Sequence, residues 1–179
     1  MQALKKILPD LPANFPVPIV IVQHQHPYSE NYFVEYMDEK CLMKVKEAEE
    51  KEYLAAGTIY FAPPDYHLLM ETNESFALST SEKVRNSRPS IDVLFETASD
   101  VYDSSLIGII LTGANDDGAN GMKMIKKNGG LTIVQDPKNA ESPVMPNAAI
   151  KACTIDNILN LEKIPELLVD ILMKKKLNK

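Results

Sequence analysis

Short apolar runs alternate with amphipathic stretches along most of this chain. The apolar runs lie at 18–22, 106–111 and 131–134, and the helical patterns at 28–40, 116–127, 146–152 and 161–177. The runs are rich in Ile, Val and Leu, which is typical of strands buried on both faces. Strands that alternate with helices pair in parallel, because each connection crosses back over the sheet. We therefore expect an α/β fold with a doubly wound, mostly parallel sheet and helices on both faces.

The middle of the chain has a different pattern. Short candidate strands at 57–62, 66–71 and 76–80 are separated by the turn sequences 63–65 and 72–74. Such closely spaced turns favour antiparallel pairing. We expect a short antiparallel meander over about 57–80, at one edge of the sheet. The acidic run from Glu47 to Glu52 is expected to form solvated helix or loop.

Length and charge narrow the class of protein. A chain of 179 residues is long enough for one core, so we expect a single domain over residues 1–179. The 19 basic and 25 acidic residues give a net charge of -6, which offers no electrostatic reason to bind nucleic acid or anionic lipid. Cys41 and Cys153 suggest neither a disulfide framework nor zinc. No apolar run is long enough to cross a bilayer, so we expect a cytoplasmic protein without membrane insertion.

The order of elements at the N-terminus is unusual for this fold class. Residues 2–8 have a helical pattern, and the first strand pattern follows only at 18–22. A doubly wound sheet more often begins with a strand. Either this fold starts with a helix, or a strand is missing ahead of Met1.

Two predicted strands are followed by chemically reactive segments. Ligands of open α/β sheets bind at the carboxyl ends of strands. The segment 112–121 has glycines spaced as in a phosphate loop, but it lacks the Lys-Ser/Thr pair of a P-loop. Asp116 and Asp117 would also repel phosphate from the following helix, so we expect no nucleotide cofactor. Either an aspartate simply caps that helix, or one caps it while the other faces the cleft and orients a histidine.

The first strand is followed by Gln23-His24-Gln25-His26-Pro27. On an extended segment His24 and His26 share a face and could bind a metal with an aspartate, but no further clustered ligand appears. His67, beside Asp65, is more typical of a hydrogen-bonded structural histidine. A histidine that faces an aspartate across two strand ends is the base and orienter of a hydrolase triad.

A nucleophile for such a triad is not evident within the chain. The candidate serines are Ser29, Ser90 and Ser142, and none lies on a Gly-x-Ser-x-Gly elbow. The two cysteines flank apolar stretches and are typical of small buried hydrophobic residues.

Six segments carry a resemblance to a known family. They are Ile19-Val-Ile-Val-Gln-His24, Gly57-Thr-Ile-Tyr-Phe-Ala-Pro63 with Asp65 and His67, Arg88-Pro-Ser-Ile-Asp-Val-Leu-Phe95, Gly108-Ile-Ile-Leu-Thr-Gly-Ala-Asn-Asp-Asp-Gly-Ala119, Gly129-Gly-Leu-Thr-Ile-Val-Gln-Asp136 and Met145-Pro-Asn-Ala-Ala-Ile150. In order and spacing they resemble the catalytic domain of the chemotaxis protein-glutamate methylesterase family. The resemblance covers nearly the whole chain and implies the same α/β fold.

The resemblance implies an activity and its residues. Members of that family hydrolyse γ-glutamyl methyl esters on chemoreceptors with a Ser-His-Asp triad and no cofactor, and some deamidate glutamine. The family histidine falls on His24 and the family aspartate on Asp117. A backbone N–H of the oxyanion hole falls on Ala114, where the family usually has methionine; a backbone donor tolerates that exchange. No role is implied for His26.

The family serine has no counterpart in this chain. It lies in a Gly-Ala-Ser-x-Gly-Gly turn between the first strand and a helix that matches residues 2–8. The resemblance therefore implies a catalytic domain without its first strand and nucleophile turn, and without the family's receiver domain. We favour truncation of an active parent. Its partner would be the cytoplasmic region of a methylated chemoreceptor, and the exposed sheet edge could support a homodimer.

Two alternatives stay open from the sequence. One is a catalytically inactive interaction module of the same fold, in which the cleft binds a protein. The other is a metal-dependent hydrolase that uses His24 and His26 with an aspartate.

Overall fold

A computed structural model describes residues 1–24 and 32–173. The helices are α1 (Gln2–Ile7), α2 (Tyr32–Lys40), α3 (Ile91–Tyr102), α4 (Ala119–Lys127), α5 (Val144–Ala152) and α6 (Lys163–Met173). The strands are β1 (Ile19–Ile21), β2 (Lys44–Glu47), β3 (Thr58–Phe61), β4 (His67–Met70), β5 (Phe76–Ser79), β6 (Ile107–Ile110), β7 (Leu131–Gln135) and β8 (Asn157–Leu159). None of the helices within these ranges is long and apolar enough to cross a bilayer.

Two three-stranded parallel sheets form the centre of the fold. Their strand orders are β1-β3-β2 and β6-β7-β8. One apolar layer, with α1, α2 and α6, packs against residues of both sheets, including Ile59 and Ile133. On the other side α3 packs over the first sheet, and α4 and α5 pack over the second. The predicted α/β fold, mostly parallel with helices on both faces, is confirmed.

The predicted meander is only partly correct. Antiparallel pairing is confined to the hairpin of β4 and β5, whereas β3 pairs in parallel with both β1 and β2. All four residues of β3 are buried, as expected for a strand covered on both faces. The turn at 63–65 therefore leads out of the parallel sheet and does not join two antiparallel neighbours.

Two other boundaries differ from the sequence pattern. The acidic run expected to be helix or loop begins inside β2, whose only buried residue is Val45. A four-residue strand with one buried apolar residue has too little alternation to be recognised. The helix expected from Asp116 begins only at Ala119, because Gly118 precedes it in a left-handed conformation with φ 91°.

β1 and β6 are edge strands of the two parallel sheets, and no ladder between described residues joins them. The loops that follow these two strands meet at His24 and Asp117, so we call the region between β1 and β6 the inter-sheet gap. The Ile21 carbonyl accepts the Ala62 N–H at 2.8 Å, so the backbone groups of Val20 point away from β3, into the gap. The Leu106 carbonyl likewise bonds within the second sheet, which directs the backbone of Ile107 into the gap.

Close packing of α3 against α4 fixes the region that follows β6. A Cβ at Gly121 would lie 2.4 Å from the Cβ of Phe95, which is too close for any side chain at that position. The Gly121 N–H also donates to the Asp92 carboxylate at 2.8 Å. These contacts hold the first turn of α3 beside the start of α4.

We predict that Gly121→Ala lowers the free energy of unfolding by about 1–3 kcal/mol, because the new methyl group must displace the α3 backbone through Phe95. Urea denaturation measures this. Asn120→Ala is the matched control, on the exposed side of the same helix. It should leave the stability unchanged or slightly raised, since alanine has the higher helix propensity. Equal stability of Gly121→Ala and the parent chain would contradict the packing argument.

Candidate active site

The loops after β1 and β6 bring a histidine and an aspartate together. His24 lies three residues beyond β1, and Asp117 lies in the loop between β6 and α4. The His24 Nε2 is 2.8 Å from the Asp117 Oδ2. The side chain of Asp117 is fully buried, whereas that of His24 is 26% exposed. The pair therefore has one buried, fixed partner and one that solvent and ligands can reach.

Asp117 accepts four hydrogen bonds, which occupy both of its carboxylate oxygens. The donors are the His24 ring at 2.8 Å, the Ile91 N–H at 2.7 Å, the Asp92 N–H at 3.0 Å and the Ser90 hydroxyl at 2.8 Å. Three of these donors come from the start of α3: the hydroxyl of Ser90 at the cap position and the backbone N–H groups of Ile91 and Asp92, which have no partner within the helix. Asp117 thus fills the acceptor position at the start of α3 and orients His24 at the same time.

These hydrogen bonds set the charge of Asp117. Burial raises its pKa, but the hydrogen bonds from His24, from the backbone of Asp92 and Ile91 and from Ser90 outweigh that effect, and the pKa lies below the usual range. The group is therefore a carboxylate at neutral pH. Because a carboxylate only accepts hydrogen bonds, the Nε2 of His24 is the donor in this contact, and a neutral imidazole with its proton there has its lone pair on Nδ1.

Asn115 contacts both members of the pair. Its side-chain oxygen accepts the Asp117 N–H at 3.1 Å, and its side-chain nitrogen is 3.4 Å from the His24 Nδ1. No sequence pattern had predicted a role for Asn115. An Asn whose side chain accepts the backbone N–H two residues on is a recognisable signal of an Asx-turn. The contact of Asn115 with His24 could not be recognised in this way, because it depends on the fold.

Hydrogen bonds at Thr112 and Gly113 fix the start of the loop that carries Ala114. The Gly113 N–H donates to the Ser142 carbonyl at 3.2 Å, and the Gly113 carbonyl accepts the Met145 N–H at 3.0 Å. The Thr112 N–H donates to the Gln135 side chain at 2.8 Å. Ala114 itself is exposed to solvent, on the loop that leads to Asp117. Its assignment as an oxyanion donor stays a prediction.

Asp116 has a different environment from its neighbour. It is exposed and pairs with Arg85, which also contacts Asp92. Neither aspartate caps α4 through its side chain, because the residue at the cap position is Gly118 and no side chain bonds there. The capping role expected for the 116–117 pair is therefore wrong for α4, and Asp117 instead serves the N-terminus of α3.

Of the other candidate residues, some have structural roles and others lie outside the residues that the structure describes. His67 is fully buried, and its Nε2 is 3.0 Å from the Glu82 carbonyl. Ser142 is tied to Thr112 through its backbone N–H at 2.8 Å. Burial raises the pKa of the Cys41 thiol to about 11 and that of Cys153 in the same direction, so neither is an activated nucleophile.

His26 and Ser29 lie outside the described residues. Within the described ranges there is no group of three or more His, Cys, Asp or Glu side chains that could hold a metal ion.

Ser90 was expected only as a candidate nucleophile, and no role was expected for Ile91 and Asp92 beside it. A serine ahead of a helical pattern is a helix-start signal, which could have placed Ser90 at the beginning of α3. That signal would not have revealed that α3 donates to Asp117, since the two segments are separated by more than twenty residues in the chain.

Comparison with known proteins adds independent information. A family model described as CheB methylesterase matches residues 1–168. A relative from Leptospira interrogans is 55% identical over 169 residues, which cover 94% of this chain and 88% of the relative. The protein-glutamate methylesterase/protein-glutamine glutaminase of Thermotoga maritima is 36% identical over 173 residues, which cover 95% of this chain and 50% of that protein.

The fold is also similar to a solved structure. The crystal structure of the Thermotoga maritima CheB methylesterase catalytic domain superposes with a TM-score of 0.91 at 36% sequence identity, covering 95% of this chain and 92% of that one. Family model, relatives and structure agree with the resemblance seen in the six sequence segments. This chain belongs to the CheB methylesterase family, a family of hydrolases.

Proposed function

We propose that this chain supplies the base and its orienter for a protein-glutamate methylesterase. The substrate would be a glutamate methyl ester on the cytoplasmic region of a chemoreceptor, with glutamine as the second side chain that named relatives act on. The main support for this proposal is the environment of Asp117. It is buried, accepts four hydrogen bonds and lies 2.8 Å from the His24 Nε2. Such a carboxylate holds an imidazole in one tautomer, which is what a general base requires.

In the proposed reaction a serine hydroxyl meets the Nδ1 of His24. The imidazole takes the serine proton while the serine oxygen attacks the ester carbonyl, and Asp117 stabilises the imidazolium. The Ala114 N–H donates to the oxyanion. His24 then returns the proton to the leaving methoxide, which departs as methanol. Water attacks the acyl-enzyme by the same route, and glutamate and the free serine are released.

We propose that the serine is carried on a strand and turn ahead of α1, with the strand in the inter-sheet gap. The backbone groups of Val20 and Ile107 face that gap and are available to a parallel neighbour. The start of α1 lies within electrostatic range of Glu141. Burial lowers the pKa of the Met1 amino group, and the nearby charge of Glu141 opposes this. Glu141 adjoins Ser142, which bonds to the loop carrying Ala114, so a turn entering α1 would reach the rim of the site.

We predict that a chain extended by a strand and a Gly-Ala-Ser-x-Gly-Gly turn releases methanol from a methylated chemoreceptor. His24→Ala in that chain should lower kcat about ten-thousand-fold, because the serine loses its base. Methanol release by gas chromatography is the measurement. Asp116→Asn is the matched control: it removes an exposed neighbouring carboxylate and should change kcat less than about threefold.

Other outcomes of this assay would point elsewhere. Receptor binding without methanol release would favour the interaction module. Activity lost to a chelator and restored by a divalent ion would favour the metal hydrolase with His24 and His26. Full activity of His24→Ala would contradict the role of His24.

The stability of the folded chain depends on pH through the ionised state of Asp117. Its pKa is lower in the folded protein than in the unfolded chain, where an aspartate titrates near about 3.9. The unfolded chain therefore binds more protons in acid. The stability from ionised Asp117 is complete above that value and is lost as the pH falls through the lower, folded value.

We predict that Asp117→Asn lowers the free energy of unfolding at neutral pH by about 2–4 kcal/mol, because an amide NH2 replaces one acceptor oxygen and faces two of the buried donors. The variant should also lose less stability than the parent chain between pH 4 and the acid limit of folding, in line with proton linkage. Urea titrations across this pH range measure both effects. Asp10→Asn, which changes an exposed carboxylate, serves as control and should keep the parent's pH dependence. An unchanged acid slope in Asp117→Asn would contradict the assignment of a carboxylate at this position.

We further propose that residues 1–179, when no strand of their own fills the inter-sheet gap, pair with a second copy along β1. Unpaired parallel edges are templates for another strand. Val20→Pro removes a backbone donor that faces the gap and spares the β1–β3 ladder, because that ladder uses the backbone of Ile21.

We predict that residues 1–179 sediment as a dimer and that Val20→Pro weakens self-association at least about tenfold. Val20→Ala is the control for the lost side chain and should remain dimeric. Sedimentation equilibrium distinguishes the species. A monomer at high protein concentration would rule out pairing at this edge.

A further inference from the structure

Asn115 contacts both members of the His–Asp pair through opposite ends of one carboxamide. Its oxygen accepts the Asp117 N–H at 3.1 Å, and its nitrogen lies 3.4 Å from the His24 Nδ1. The orientation of the amide follows from chemistry, because a backbone N–H can only donate and must therefore face the oxygen. The nitrogen, which can only donate, is left to face the imidazole.

A donor at this position constrains the protonation of His24. The Nε2 that faces the Asp117 carboxylate is a donor, and the Asn115 amide N–H favours an acceptor at the Nδ1 that it faces. Both constraints select the same tautomer. Rotating the imidazole by half a turn would place carbon atoms opposite both partners, so the two contacts also fix the ring plane.

We propose that Asn115 is a positioning residue, which keeps the proton of His24 off Nδ1 and the Nδ1 lone pair directed towards the cleft. Asp117 alone holds one nitrogen and leaves the ring free to pivot about that single bond. Asn115 adds the second point of attachment, and it is itself fixed by the backbone of Asp117. The long 3.4 Å contact to Nδ1 is weak enough for an entering hydroxyl to replace it.

The link to catalysis rests on the proposed function, whereas the tautomer does not. If His24 is the base, its lone pair must be on the nitrogen away from Asp117, and a donor that protects this state increases the fraction of competent enzyme. If the chain has another function, the same hydrogen bonds still set the same tautomer. The two claims can therefore fail separately.

Two substitutions separate this role from that of a simple loop residue. Asn115→Asp keeps an oxygen for the Asp117 N–H and nearly the same shape, but its second oxygen is an acceptor and requires a proton on Nδ1. Asn115→Ser can also bond the backbone N–H two residues on, but it is too short to reach the imidazole. Both variants preserve the turn, and Asn115 is only half-buried, so both are expected to fold.

The test is the nitrogen NMR spectrum of histidine-labelled residues 1–179 at neutral pH, with the His24 signals assigned by their loss in His24→Gln. Protonated and unprotonated ring nitrogens have well-separated shifts. The parent chain should have a proton on Nε2 only. Asn115→Asp should shift His24 towards a protonated Nδ1 by at least about tenfold in population, and Asn115→Ser should give a mixture of states. Identical His24 signals in all three proteins would overturn the proposal.

A second readout uses the extended, serine-bearing chain. Asn115→Asp should lower kcat at least about tenfold with little change in KM, because the substrate still binds while the base is blocked. A changed tautomer with unchanged kcat would keep the structural role of Asn115 and refute the assignment of Nδ1 as the base. Absence of hydrolysis in the parent chain, together with the expected tautomer shift, would refute the proposed function alone.

Discussion

A buried carboxylate at position 117 is the constraint on which the arrangement of the site depends. An isolated charge in the interior is strongly unfavourable, so Asp117 is tolerated only because donors surround it. Three of these donors belong to the start of α3, and a helix N-terminus is the part of the backbone best able to supply them. Removing the carboxylate would leave those donors unpaired. The hydrogen bonds at the start of α3 therefore offset the free-energy cost of burying the charge, and the carboxylate in turn satisfies donors that would be unpaired without it.

The same interaction connects segments that are distant in the chain. Asp117 follows β6, its helical donors precede and begin α3, and His24 follows β1 in the other sheet. The Asp92 carboxylate extends this connection to α4 through the Gly121 N–H, and Arg85 joins Asp92 to Asp116. The His24 contact therefore spans the two sheets at their carboxyl edge, where β1 and β6 are not paired with each other. The arrangement of the candidate site and the connection between the two sheets therefore depend on the same region of the fold.

The sequence predicts the architecture well where patterns are long and local. Buried runs such as that of β6 identify parallel strands, and the positions after two such runs allow His24 to face an aspartate. The choice of Asp117 rather than Asp116 came from the family resemblance. The sequence predicts less where the pairing of a strand or the contacts of a side chain depend on segments that are distant in the chain. β3 looks like a hairpin strand because turns follow it, yet its burial on both faces puts it at the centre of a parallel sheet. The donors to Asp117 and the contact of Asn115 with His24 join segments that no local pattern relates.

In the proposed reaction the two nitrogens of the His24 ring have different functions. Asp117 engages Nε2, so the lone pair that would take the serine proton lies on Nδ1, the ring nitrogen nearer to the His24 backbone. A nucleophile able to use it must come from the side of Asn115 and not from α3, where Ser90 already donates to Asp117. This excludes Ser90 as the serine, because its hydroxyl proton is committed to the carboxylate and its side chain is fully buried. The remaining approach is along the edge where β1 and β6 border the inter-sheet gap, and the strand that we propose there would place its turn beside both His24 and the loop of Ala114.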